Sequence, residues 1–198
     1  KSKTSMFQVD IIEQCKQNNR KAQLQLYNQY CHGMYIVAIR FLKDAQDAED
    51  VVQEAFIKAF TKLHQYKAEV TFGAWLKRIV VNKSIDFLKS KKQRLVDLEE
   101  VHLKVIDVSH DDKWLVEDTI TLDDVKKAIE KLPDKYKYVL MLYLIEGFDH
   151  QEISEILKIS EIASRTQLSR GKIKLQELLK LKKKWHKILG SCLKMIKK

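Results

Sequence analysis

Glycine and proline are scarce in this chain: five glycines and one proline, Pro133, serve 198 residues. Sandwiches, barrels and doubly wound sheets all need many tight turns, so this scarcity excludes them and predicts an all-α chain. Long apolar runs are absent. The run Val139 to Ile145 is seven residues, where a membrane-spanning helix needs roughly 20. The first residues, Lys1 to Phe7, carry no apolar signal-peptide core. The expectation is a cytoplasmic protein without stable membrane insertion. Cysteine is rare as well: Cys15, Cys31 and Cys192 are far apart, and none has a histidine at metal-ligand spacing. Reduced thiols and no metal site are expected.

What is present reads as a folded domain or two. Hydrophobic residues make up 45% of the chain and charged ones 32%, a balance that excludes disorder over the whole length. The net charge of +10 is unevenly placed: residues 1–94 carry +8, residues 95–124 carry −8 and residues 125–198 carry +10. Two basic blocks flank an acidic connector. Basic chains bind polyanions by releasing their counterions, which makes nucleic acid the default partner.

Apolar periodicity divides the blocks into helices. Val9 to Lys16 and Arg20 to Leu42 form the first two. A third is capped by Asp44, carries Val52, Ala55, Phe56, Ala59 and Leu63 on one stripe, and ends near Tyr66. A loop from Gln65 to Thr71 leads into a fourth, with Thr71 as its cap and a basic tail at Lys89, Lys91, Lys92 and Arg94. Residues 95–121 read as an acidic linker. The second block opens with a helix from Leu122 to Lys131. Pro133 starts another that runs to Ile145, and Gly147 closes it. Asp149 and Glu152 make a capping-box start for a short helix through Leu157. Ser160 caps a long basic helix to Leu181. Two helices joined by Lys158 to Ser160 have the sequence form of a helix-turn-helix. The domains expected are therefore 1–94, the linker 95–121, 122–181, and a basic amphipathic helix over 182–198. That last helix has Trp185, Ile188, Leu189, Cys192 and Ile196 at helical steps.

Helical geometry at 100° per residue assigns faces. On the long basic helix, Ser164, Leu168, Gly171, Leu175 and Leu178 form the packed side. Ala163, Thr166, Gln167, Arg170 and Lys174 point away from it, with Arg165, Ser169 and Lys172 on the flanks. Such side chains suit phosphates and base edges in a major groove. On the third helix, Asp47, Asp50, Gln53, Glu54 and Ile57 form a stripe beside the buried one, with Phe60 also exposed. An acidic stripe on a basic domain suits a basic protein partner. On the fourth helix, Trp75, Arg78, Asn82 and Lys83 share a ridge beside the 65–71 loop, the combination that holds an unstacked single strand.

Three blocks resemble a known family, the extracytoplasmic-function (ECF) sigma factors of bacterial RNA polymerase. Asp47-Ala-Glu-Asp-Val-Val-Gln-Glu-Ala-Phe56 is similar to the family's polymerase-binding helix. Phe72-Gly-Ala-Trp-Leu-Lys-Arg-Ile79, with Asn82 and Asp86, is similar to its promoter-melting helix. Leu132-Pro133, Glu146-Gly147-Phe148, Gln151 to Leu157, Ile159-Ser160-Glu161 and Arg165 to Arg170 look like its second DNA-binding domain. All three stand in the family's order and spacing. The resemblance implies that the first domain docks a coiled coil of the polymerase clamp and captures a flipped base of the minus-ten element. The second would read the minus-thirty-five element.

Carried over by motif, Asp47, Asp50, Gln53, Glu54 and Phe56 would contact core polymerase. Trp75, Arg78, Asn82 and Lys83 would handle the melted strand, and Arg165, Thr166, Gln167, Ser169, Arg170 and Lys172 would bind duplex promoter DNA. The family also implies an anti-sigma factor as a partner. Lys158 and Ile162 stand where the family often has glycine, and Gln167 where arginine is common.

A helix-turn-helix regulator that does not bind polymerase is the alternative, but it leaves Asp47 to Phe56 unexplained. An enzyme is not expected. The chain has no Gly-rich phosphate loop and no Ser/His/Asp or Cys/His arrangement, and His150 with Glu152 reads as a cap region. No cofactor or small-molecule substrate is expected.

Overall fold

The computed structural model describes residues 11–96 and 121–196, with side chains described to residue 92 in the first segment and to residue 180 in the second. The chain divides into two compact units, residues 1–102 and 103–198. Among the described residues every regular element is helical.

In the first unit α1 (residues 11–16) buries Ile11, Ile12 and Cys15. Burial in this apolar setting pushes the Cys15 thiol above its ordinary value. Asn18 then turns the chain at φ 59°. The Asn19 side chain starts α2 (Arg20–Leu42) by accepting from the amides of Lys21 and Ala22 at 3.0 and 3.3 Å. These are two of the donors that every helix start leaves without a partner. Lys43 ends α2 in the left-handed region, and Asp44 caps α3 (Ala45–Thr61) by accepting from the Asp47 amide at 2.9 Å. A single turn, Leu63–Gln65, follows.

Thr71 opens α4 (Phe72–Val96) through the Ala74 amide, 3.3 Å away. These helices pack around a common core. Leu26 and Ala38 on α2, Ala48, Ala55 and Ala59 on α3, and Leu76, Val80 and Val81 on α4 are fully out of solvent. Alanine at steps of seven and four on α3 lets its neighbours approach closely. The fourth helix runs two residues into the expected linker. From 97 to 120 that linker lies outside the described residues.

The second unit begins with α5 (Leu122–Glu130), closed at its start by a reciprocal capping box between Thr121 and Asp124. Pro133 stands at the cap of α6 (Asp134–Leu140), just outside the first helical position. The helix then widens into a π-turn over Met141–Ile145, with the Glu146 amide bonded to the Met141 carbonyl at 3.0 Å. Periodicity had predicted uninterrupted α-helix here. Gly147 ends the turn at φ +76°, a conformation that favours glycine.

Next come α7 (His150–Leu157) and α8 (Glu161–Ile196). Gly171 brings α8 against α6: a Cβ there would stand 3.0 Å from Leu140 Cδ1. The stretch expected as a separate terminal helix over 182–198 is continuous with α8 as far as Ile196, and its side chains lie outside the described residues.

Candidate functional site

On α3 the acidic stripe forms as the sequence predicts. Asp50, Gln53 and Glu54 are exposed, Asp47 is half-buried, and Ile57 is 68% exposed at the end of the row. Two of the acids are held by lysines of α4. Lys83 Nζ lies 2.6 Å from Glu54 Oε2, and Lys91 Nζ lies 2.9 Å from Asp47 Oδ2. The hydrogen bond to Asp47 holds the Lys91 ammonium above its ordinary pKa. Phe56 follows the apolar stripe rather than the contact role that its motif implies. At 2% exposure it belongs to the core, its ring 4.7 Å from that of Tyr27 and 5.9 Å from that of Phe60. It therefore braces the stripe from behind rather than presenting a surface. Phe60, expected exposed, is half-buried by the same contact.

The ridge on α4 sits on a cluster of rings. Trp75 is half-buried, with centroid distances of 5.3 Å to Tyr66 and 5.7 Å to Phe72. Tyr66 meets Phe72 edge-on at 5.8 Å, and Tyr30 does so at 5.3 Å. The Tyr66 hydroxyl donates to the Val70 carbonyl at 2.6 Å, tying down the 65–71 loop. Burial, and then the neighbouring Tyr30, push that phenol's pKa up. Arg78, Asn82 and Lys83 are half-buried along the ridge, Asn82 two turns from Trp75, and Lys83 is engaged by Glu54.

In the second unit the helix-turn-helix is built by caps. The Glu152 amide donates to Asp149 Oδ1 at 2.8 Å, and Glu152 Oε2 accepts from the Asp149 amide at 3.1 Å. Lys158 turns the chain at φ 58° and ψ 48°. Ser160 Oγ accepts from the Ala163 amide at 3.1 Å to start α8. The two helices are joined across their starts by His150 Nδ1 and Ser164 Oγ, 2.8 Å apart, with Ser164 fully buried. The His150 ring stacks on Tyr143 at 5.0 Å, and Lys172 Nζ stands 5.9 Å from the Tyr143 ring centre. Burial first, then Arg165, lowers the His150 pKa. Sequence position marks His150 only as part of a cap region; the structure adds its bond to Ser164.

The face that α8 turns to solvent overlaps the expected one only in part. Thr166 and Lys174 are exposed as expected, together with Ile162, Arg165 and Ser169, whereas Ala163, Gln167 and Arg170 are half-buried, as Lys172 is on its expected flank. The packed side holds Ser164, Leu168, Gly171 and Leu175 as expected, but Leu179 rather than Leu178 is the buried leucine of the last turn. Arg170 is the largest departure. Its Nε is out of solvent, so its stem is a packing element. Arg165 Nη2 lies 3.4 Å from Glu161 Oε2, and the Thr166 hydroxyl donates to the Ile162 carbonyl at 2.9 Å. The residue missed from sequence is Ile162, 77% exposed on the second position of the helix. Its place two residues after the Ser160 cap, in the first turn of the helix, is the available signal.

Among the described residues no group of three His, Cys, Asp or Glu side chains is gathered as metal ligands would be, and no helix is long and apolar enough to cross a membrane.

A four-helix unit with an exposed acidic stripe, and a second unit built on a helix-turn-helix, define a helical transcription protein. The family models for Sigma-70 region 2 and Sigma-70 region 4 match residues 26–94 and 122–175. The ECF RNA polymerase sigma factor SigW of Bacillus subtilis is 30% identical over 177 residues, covering 85% of this chain and 95% of that protein. Two solved structures share the fold at 24% identity and a TM-score of 0.53. They are CnrH in complex with the cytosolic domain of CnrY, covering 86% of this chain and 96% of that one, and RpoE in complex with the anti-sigma factor NepR from Bartonella quintana, covering 79% and 95%. The chain belongs to the ECF sigma factors of bacterial RNA polymerase. It is accordingly a transcription-initiation factor and not an enzyme, and it works with core polymerase at promoter DNA.

Proposed function

We propose that the two units divide the work of an alternative sigma factor. Residues 26–94 engage core polymerase and the melted minus-ten strand, and residues 122–175 engage the minus-thirty-five duplex. The reading is carried by one observation: the acidic stripe Asp50, Gln53, Glu54 and Ile57 stands exposed on α3, opposite a core of small residues. A row of acids ending in an apolar side chain suits a basic protein helix.

Asp47 holds its place beside the stripe through Lys91, and Phe56 supports it from inside. Trp75, Arg78, Asn82 and Lys83 form the strand-handling ridge, where the ring cluster offers a stacking surface and Arg78 and Lys83 offer charge. In the second unit Arg165, Thr166 and Ser169 face the duplex directly. Gln167 and Lys172 approach it from the flanks, and Arg170 shapes the helix from within. The protein acts in the cytoplasm, where polymerase and chromosomal DNA are. An anti-sigma factor is its expected antagonist, as both structural neighbours are complexes of a related fold with a second protein.

Run-off transcription with purified core polymerase over a genomic fragment library tests the whole reading. Discrete transcripts that depend on this chain are expected. Their loss on Asp50→Lys with Glu54→Lys, with helicity intact, assigns the polymerase face; wild-type transcription from that double variant would refute it.

A further inference from the structure

A single exposed aliphatic side chain is ordinary on a protein surface. The position of Ile162 is not ordinary. Among the described residues it is the most open of the exposed large hydrophobic side chains, at 77%, and it sits in the first turn of α8. Helices of this kind enter the major groove with their N-terminal residues against the base edges. Its neighbours on the outward face are Arg165, three residues on, and Thr166, four residues on, both exposed. Phosphates offer such a side chain nothing, and the donors and acceptors of the base edges offer it little. The apolar group in the major groove is the C5-methyl of thymine. From this placement we infer that Ile162 is a specificity-determining residue of the second unit, recognising a thymine methyl in the upstream promoter element. The inference rests on the proposed reading of α8 as the duplex-reading helix.

Two local features prepare Ile162 for this role. It is β-branched, so its χ1 is already restricted in a helix and little rotamer freedom is lost on contact. The Thr166 hydroxyl donates back to the Ile162 carbonyl at 2.9 Å, so that hydroxyl is turned towards the helix backbone. The Thr166 γ-methyl then adds apolar surface beside Ile162. Arg165, paired at 3.4 Å with Glu161 along the same edge, supplies a donor for an adjacent base or phosphate. An apolar contact flanked by a guanidinium would favour a thymine next to a guanine or a backbone phosphate.

The test uses holoenzyme reconstituted from the full chain and core polymerase, with a promoter fragment recovered by run-off selection as the probe. Each thymine of the upstream element is replaced in turn by deoxyuridine, which removes only the methyl group, and affinity is read by competition. Wild-type holoenzyme should lose about fourfold at one position, the factor expected from burying one methyl group. Ile162→Ala should bind the thymine duplex correspondingly more weakly and be indifferent to deoxyuridine there. An Ile162→Ala protein that keeps the full deoxyuridine penalty overturns the inference, because another group then reads the methyl. Arg165→Ala separates the two levels. Weaker binding by that variant, with no effect of Ile162→Ala, overturns the inference and leaves the reading of α8 standing. If Arg165→Ala, Ile162→Ala and every deoxyuridine are silent, both fall. Ile162→Ser, with the same melting temperature as wild type and the same loss as Ile162→Ala, checks that binding rather than folding is measured.

Discussion

Lys83 and Glu54 are tied to each other across α3 and α4, Nζ to Oε2 at 2.6 Å, although each is assigned to a different partner. Twenty-nine residues separate them in sequence. The Glu54 side chain is 61% exposed and that of Lys83 29%, so water screens the pair and its contribution to stability is under about 1 kcal/mol. On the proposed reading, a basic polymerase helix that took Glu54 would release the Lys83 ammonium to the promoter strand. Glu54→Gln should weaken core binding while leaving chemical denaturation within about 1 kcal/mol of wild type. A loss of several kcal/mol would make the pair structural.

Asn82 stands on the α4 ridge two turns from Trp75, beside a loop fastened by the Tyr66 hydroxyl. Asn82→Ala should lower open-complex formation more than closed-complex binding. Permanganate reactivity and gel shift on the same promoter measure the two. An equal loss in both would move Asn82 from strand handling to general docking.

Arg165 and Arg170 should part company. Arg165→Ala is expected to cost about 1 to 3 kcal/mol of promoter affinity and to lower the salt slope by about one phosphate. Arg170→Ala should act first on the melting temperature, since its Nε is out of solvent. The reverse pattern would mean that the exposed face of α8 is not the one that meets DNA.

Lys158 takes a left-handed conformation, φ 58° and ψ 48°, at the turn between α7 and α8. A side chain pays a steric penalty there that glycine does not. Lys158→Gly should stabilise the protein by about 0.5 to 1 kcal/mol, read by denaturant titration. A destabilisation would show that the Lys158 side chain makes a contact worth more than the strain.

The His150 pKa is lowered chiefly by burial and next by Arg165, against an opposing pull from Asp149 and Glu161. The folded state therefore binds this proton less readily than the unfolded chain, whose histidine titrates near about 6.5. The stability that comes with neutral His150 is fully present above that pH and is lost as pH falls through the folded-state value. Melting temperatures of wild type and His150→Asn, measured from pH 7.5 to 5, should converge on acidification. Parallel curves would show that the His150–Ser164 contact is indifferent to the proton.

Helix ends were legible in the sequence because short polar side chains announce them: Asp44, Thr71, Asp149 with Glu152, and Ser160 all cap as their positions predict. Three features were not. The π-turn at Met141–Ile145 lies inside an unbroken apolar run, where nothing distinguishes a wider ring from an α-turn. For Phe56 the apolar stripe and the motif carry-over point to different surroundings, and the ring of Tyr27, on another helix, decides for the core. The open face of α8 is the third: motif carry-over favours the polar Gln167 and Arg170, whereas at about 100° per residue Gln167 lies only about 60° from the buried Ser164 and the apolar Ile162 about 160° from it.

The length of α8 has a mechanical consequence. Its 36 residues rise about 54 Å, and among the described side chains its buried positions, Ser164, Leu168, Gly171, Leu175 and Leu179, run from the first turn to just past the helix midpoint. Ile162 and Arg165 therefore stand on a turn already anchored through Ser164 and His150. A partner that gripped the helix towards Ile196 would be joined to that turn by one continuous helix.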